Sequence, residues 1–314
     1  MPAAEFDPLA LSIQLHSPGE RSDLFALARA GRAKKLFPGG YVVADDWEEM
    51  DGDARHRLLI EAAARKSRRP LVVSHLSAAA LWRLPAIRPW PDRVHVLQGR
   101  GTTMRSTASL IRHSEGVPEI LETIDGHRVT DLAHTVVDLA ATVPFRDAVV
   151  FADAALRRLG SPSPSLPSDA VTAADVEALI FRRGARPGMA HARRVLEFAD
   201  GRADRPGESV SRVSMLSARI SRPDLQMPVF GASGSKYFAD FYWADRRHIG
   251  EFDGVAKYTD PQFLRGRTPQ QALLDEKRRE DDLRAAGYRF TRWGWEVALS
   301  PSRLGALLRQ AGIR

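Results

Sequence analysis

Residues 21–30, RSDLFALARA, place Leu24, Leu27 and Ala28 on one helical face, which predicts a short amphipathic helix opened by Ser22. The next stretch, GRAKKLFPGGYVV, breaks at glycine, carries a basic pair, turns at Pro-Gly-Gly and ends in an apolar β-run. Helix, basic segment and hairpin in that order predict a small winged-helix module over residues 1–70. Residues 53–66 read as another helix, and Ser74 is placed to cap the Ala- and Leu-rich HLSAAALWRL. From Val94 to about Val129 strand patterning takes over, with RVHVL and GHRVT as its clearest runs, before DLAHTVVDLAATV and FRDAVVFADAALRRL return to helical spacing. The Pro/Ser-rich GSPSPSLPSD, residues 160–169, predicts a loop. A helix at about 173–183 and the segment MAHARRVLEFAD complete a central mixed α/β region, residues 71–200.

GRADRPGE marks a boundary near residue 201, beyond which the order of elements becomes specific. ESVSRVSMLSARI carries a stripe of Val210, Val213, Leu216 and Ile220, the mark of a half-buried helix. LQMPVF, KYFADFYW and HIGEFDG read as three strands joined by the turns GASGS and ADRR. PQQALLDEKRREDDLRAAG is a long charged helix closed by Gly287, followed by the strand YRFTRW and a last helix from about 301 to 312. The sum, α-β-β-β-α-β-α over residues 201–314, predicts an α/β domain in which a meander feeds a crossover helix.

Composition narrows the chemistry. The 314 residues contain no cysteine, so disulfides, thiolate zinc sites and a cysteine nucleophile are excluded, and any metal must sit on oxygen or imidazole. The N-terminal residues show no basic leader before an apolar core, and no run approaches the roughly 18 apolar residues of a membrane span, so the expected location is cytoplasmic and no membrane partner is expected. Net charge is +7; residues 201–314 hold 20 Lys and Arg against 14 Asp and Glu, which leaves 26 against 25 for the first 200. A basic C-terminal third that also contains an acidic cluster suits a partner such as DNA, whose phosphates are attracted while a cation is held.

The acidic cluster lies on strands. Glu251 and Asp253 share a strand face, and pairing through the short ADRR turn brings Asp240 beside them. Carboxylates gathered in a partly buried site repel unless a cation intervenes, and a hard divalent ion such as Mg2+, or Mn2+ in its place, answers that need. Arg278, Arg279 and Arg284 read as an exposed helical face paired with Glu280, Asp281 and Asp282.

At these residues the C-terminal third resembles the PD-(D/E)XK nucleases, and within them the very-short-patch-repair-like endonuclease domains of the group called DUF559. The resemblance rests on ADFYW, GEFDG and DEKRREDDLRAAGYRFTRW, with Glu208 at the start of the preceding helix, and covers about residues 205–312. It implies a restriction-endonuclease-like fold, metal ligation by Asp240 and Glu251, and Glu208 as a further ligand or water-positioning group. The opening PGE equally describes a helix start at which an acid complements the dipole, so Glu208 carries two readings. Many relatives carry a catalytic lysine two positions after the glutamate, where this chain has Asp253. The lysine's role is therefore open, with Lys257 and Lys277 as candidates, while the E-x-D-G variants this stretch resembles imply Asp253 as another metal ligand; Arg292, within TRWGW, is a candidate phosphate contact.

LARAGRAKKLFPGGYVV, SHLSAAALWRLP and RVHVL resemble the N-terminal region of AbiEi-type antitoxins of type IV toxin-antitoxin systems, in which a winged helix binds operator DNA. The resemblance implies that Arg32, Lys34 and Lys35 face phosphates, contacts that position without specifying sequence. Other signals read as structure: GASGSKY lacks phosphate-loop spacing, the nine histidines form no H-x-x-x-H pair, His75 starts a helix and Asp138 sits within one. The sequence therefore predicts a metal-dependent DNA endonuclease, with an antitoxin-like DNA-binding regulator on a degenerate nuclease fold as the alternative.

Overall fold

The computed structural model describes residues 9–11, 18–99, 101–102, 104–157, 171–254 and 268–314. The loop predicted at 160–169 and Lys257 lie outside the described residues. The chain is a mixed α/β protein that divides into two compact units, Met1–Val143 with Leu159–Arg193, and Pro144–Arg158 with Arg194–Arg314. Among the described residues no helix is long and apolar enough to cross a membrane.

In the first unit, helix α1 (Pro18–Arg29) precedes strands β2 (Ala33–Phe37) and β3 (Gly40–Val43), which form an antiparallel sheet with β1 (Leu9–Leu11) in the order β1-β3-β2. The helix starts before Ser22, which lies inside it rather than capping it, while Leu24 is buried as the periodicity predicts. A second sheet, in the order β6-β5-β4-β8-β7, joins β4 (Val72–Val73), β5 (Val94–Leu97), β6 (Leu110–His113), β7 (Leu121–Ile124) and β8 (His127–Thr130). Helix α4 (His75–Leu81) packs on β5; its buried Ala78, Ala79 and Ala80 have side chains short enough to permit close approach.

The second unit holds a four-stranded sheet in the order β12-β11-β10-β9, from β9 (Asp224–Phe230), β10 (Lys236–Trp243), β11 (His248–Phe252) and β12 (Arg289–Trp293). The first three chain strands are antiparallel, and β12 returns parallel to β11 after a helix over Pro269–Ala285. That helix opens with a reciprocal cap between Thr268 and Gln271 and buries Leu283 against Val229, Ala239 and Ile249. On another side, the helix Pro206–Ser217 is pinned when the Trp293 indole N–H donates to Ser211 Oγ at 2.8 Å.

The helix Phe145–Leu156 belongs to this second unit, where the sequence reading set it in the central region. A buried ion pair accounts for that: Asp153 Oδ2 meets Arg212 Nη1 at 2.6 Å, and the Asp200 N–H donates to Asp153 Oδ1 at 2.7 Å. Burial pushes the Asp153 carboxyl up, against the pull of Arg212. Breaking such a pair from one side costs about 3–5 kcal/mol, so it fixes the helix Pro206–Ser217 that carries Glu208.

Close approach at the start of that helix depends on Gly207, where a Cβ atom would lie 2.1 Å from the buried Phe252 ring. Gly207→Ala is therefore expected to lower unfolding free energy by about 1–3 kcal/mol, because neither the helix start nor the ring has space to yield. Urea denaturation with an unchanged midpoint would contradict this packing.

Candidate functional site

Strand register pairs Phe241 with Gly250, Tyr242 with Ile249 and Trp243 with His248, and ends one residue short of Asp240 and Glu251. The Phe252 N–H donates to Asp240 Oδ2 at 3.1 Å, which ties the aspartate to the neighbouring strand. Across the sheet, Glu251 pairs in parallel register with Arg292.

Glu208 joins them from the start of the helix Pro206–Ser217 and is 1% exposed. Its Oε2 accepts hydrogen bonds from the Asp204 N–H at 2.8 Å and the Gln226 amide at 3.2 Å. Gln226 has a φ of 50°, a left-handed conformation that non-glycine residues seldom adopt, within strand β9. Burial, reinforced by the charge of Asp240, pushes the Glu208 carboxyl from its ordinary value of 4.5 up to about 8. The helix N-terminus alone would favour the ionised form, so desolvation and Asp240 outweigh the dipole.

Glu251 is treated differently. It is 2% exposed, and its two oxygens face guanidinium groups, Arg279 Nη2 at 2.7 Å and Arg292 Nη2 at 3.0 Å. Arg279, read from the sequence as part of an exposed charged face, instead turns toward the sheet, where it also donates to the Phe238 carbonyl at 2.8 Å. Arg284 does keep the predicted surface pairing, 2.7 Å from Glu280. Arg292 reaches Glu276 and Glu280, each at 3.1 Å, in addition to Glu251. Burial opposes the Arg292 charge, but Glu251, Glu276, Glu280 and Asp253 together raise its pKa above the ordinary arginine value.

Two guanidinium groups therefore stand beside Glu251. Lys277 is exposed, on a helix whose Glu276, Arg279, Glu280 and Leu283 are the more buried positions, and it does not join the cluster. Asp253 is partly buried at the end of β11, where its N–H donates to the Trp293 carbonyl at 2.9 Å. Asp240, Glu251 and Asp253 do not present one oxygen each at mutual metal-ligand spacing. Among the described residues the group of three that does, with ligand atoms within 4.8 Å of one another, is His75, His95 and His113. Of the predicted acids, Asp240 is the one whose charge acts on Glu208.

In the first unit Arg32, Lys34 and Lys35 are exposed. Lys34 lies 3.7 Å from Glu48 and 5.1 Å from the centre of the Trp47 ring, so part of its charge is already engaged.

No protein-family model matches the chain. Two curated proteins of Mycobacterium tuberculosis, from strains CDC 1551 and H37Rv and both called uncharacterized, are 31% identical to it over 176 residues, or 56% of this chain. The match spans 60% of the length of those relatives. The crystal structure of the Rv2827c protein from the same organism aligns with 71% of this chain and 84% of its own, at 14% identity and a TM-score of 0.36.

The raised Glu208 pKa has a sign that can be measured. Because the folded value, about 8, exceeds the unfolded 4.5, its stabilising contribution is full below pH 4.5 and is lost as pH rises through about 8. Glu208→Gln, which cannot ionise, is expected to gain stability relative to the native chain by at least about 1 kcal/mol between about pH 5 and pH 8 in urea unfolding. A gap that stays constant with pH would mean that Glu208 is ionised throughout.

Proposed function

We propose that the second unit is a metal-dependent phosphodiester hydrolase of the PD-(D/E)XK nuclease type, acting on DNA. The observation that carries this reading is Glu208: a buried carboxyl held protonated to about pH 8 by burial and by Asp240. A buried acid raised by a neighbouring acid's charge is stabilised when a divalent ion is added. Support comes also from topology, since three antiparallel strands followed by a crossover helix and a parallel fourth strand match the order implied by the resemblance.

Glu208 and Asp240 would hold Mg2+ or Mn2+, ions that take one or two carboxylates and keep several waters. When bound, such an ion supplies Lewis acidity toward a phosphoryl oxygen and lowers the pKa of water. The chain's own part is electrostatic. Arg279 and Arg292 hold two guanidinium groups beside Glu251, and phosphate oxygens would compete with the glutamate for their charge. Glu251 in this account orients the arginines rather than serving as the main ligand, and Asp253 adds negative charge that helps keep Arg292 in place. In the first unit, the exposed Arg32 and Lys35, with Lys34, would contact the phosphate backbone as part of a winged-helix module.

One observation favours the alternative, a DNA-binding regulator of antitoxin type without catalysis: both oxygens of Glu251 are engaged by arginine. The two readings part in a cleavage assay on plasmid, single-stranded and mismatched DNA with Mg2+ or Mn2+. The nuclease reading expects divalent-dependent cleavage that Asp240→Ala reduces by at least about 100-fold, the scale on which removal of charge-stabilising groups acts. DNA binding by the native chain with no cleavage under any divalent ion would establish the regulator instead.

A further inference from the structure

A second site lies in the first unit, in a cluster that the proposed nuclease chemistry does not use. His95 on β5 and His113 on β6 belong to neighbouring parallel strands, in which His95 pairs with Ile111 and Leu97 with His113. Side chains two apart share a face, so both imidazoles stand on the same side of the sheet. His95 Nδ1 and His113 Nε2 lie 3.0 Å apart. His75 closes the group from the first residue of α4, with its ring stacked on His113 at a centroid distance of 3.5 Å.

The backbone at His75 has a φ of 52°. A non-glycine residue in this region is uncommon, and such strain persists where the surroundings over-determine it, often at functional sites. The ring is 2% exposed. His95 and His113 are partly buried beside it.

A carboxylate completes the arrangement. Asp138, 2% exposed in the helix Leu132–Thr142, has Oδ1 2.7 Å from Arg183 Nη1. Its buried Oδ2 has no hydrogen-bond partner and lies 3.7 Å from His75 Nδ1, which is itself 3.0 Å from Ser74 Oγ. Carboxylates close to metal-binding histidines help to fix ring orientation. A ligand-ligand separation of about 3.3–3.4 Å follows from tetrahedral bonds of about 2.0–2.1 Å between zinc and nitrogen. The observed 3.0 Å pair, and the outer limit of 4.8 Å for the three ligand atoms, bracket that value.

We propose that His75, His95 and His113 form a binding site for a zinc-class divalent transition metal, with Asp138 as the carboxylate that orients His75. Three imidazoles leave a fourth position for water or an exogenous ligand, and nitrogen donors select this class over Mg2+. The site is independent of Glu208 and Asp240. Arg183, which holds Asp138, also lines a cavity of about 770 Å³ with Glu115, His134, Arg182 and Arg186.

The test uses the full chain, stripped with chelator and titrated with Co2+ and then Zn2+. The expected result is a stoichiometric visible absorption of tetrahedral Co2+, bleached by Zn2+, lost in His113→Asn and unchanged in Asp240→Ala. Asp138→Asn should weaken the affinity by about 10–100-fold. Circular dichroism checks that each variant is folded, and the native chain alone decides the case. A folded native chain giving no cobalt band overturns the proposal, as does a band that persists in folded His113→Asn.

Discussion

A carboxyl group taken out of water has to meet a cation, keep its proton or bind a metal, and the architecture of this chain is arranged around how its buried acids do so. Asp153 meets Arg212, which fixes two helices of the second unit, and Asp138 meets Arg183 through one oxygen. Glu251 meets two arginines. Glu208 has no arginine or lysine among its described partners, and burial beside Asp240 keeps it protonated. Glu208, buried beside the charge of Asp240, and the Oδ2 oxygen of Asp138, beside three imidazoles, mark the two candidate sites.

This accounting changes the weight given to individual residues. A strand glutamate opposite an aspartate invites a dication between them, and the expectation placed the ion on Asp240 and Glu251. In the structure Glu251 has guanidinium partners from the crossover helix and from β12, and the charge of Asp240 acts on Glu208. In the proposed nuclease, positive charge at the site comes from arginine in place of a lysine at position 253. Arginine stays charged at any working pH and matches phosphate geometry, so this exchange retains charge but gives up a group able to transfer a proton.

Much of the second unit was legible because its pairing is local. Alternation in KYFADFYW, and the short turn before HIGEFDG, make the two strands antiparallel neighbours, with Phe241 opposite Gly250 and Tyr242 opposite Ile249. Arg279 was misread because helical charge patterning looks the same whether a side chain meets solvent or a distant buried acid. Phe145–Leu156 was misassigned for a related reason, since its anchor Arg212 lies far along the chain. The histidine cluster left no motif: its members start a helix and sit on two strands, and only the sheet order brings them together. An acid inside the apolar helix DLAHTVVDLAATV was the available hint, because a buried Asp138 requires a partner.

The central claim is that Glu208 and Asp240 await a divalent ion, and proton release tests it most directly. Calorimetric titration of the native chain with Mn2+ or Mg2+ at neutral pH, repeated in buffers of different ionisation enthalpy, counts the protons expelled on binding. The account predicts saturable binding with release of close to one proton, and no release in Glu208→Gln. Saturable binding without proton release, or no binding at all, would contradict it.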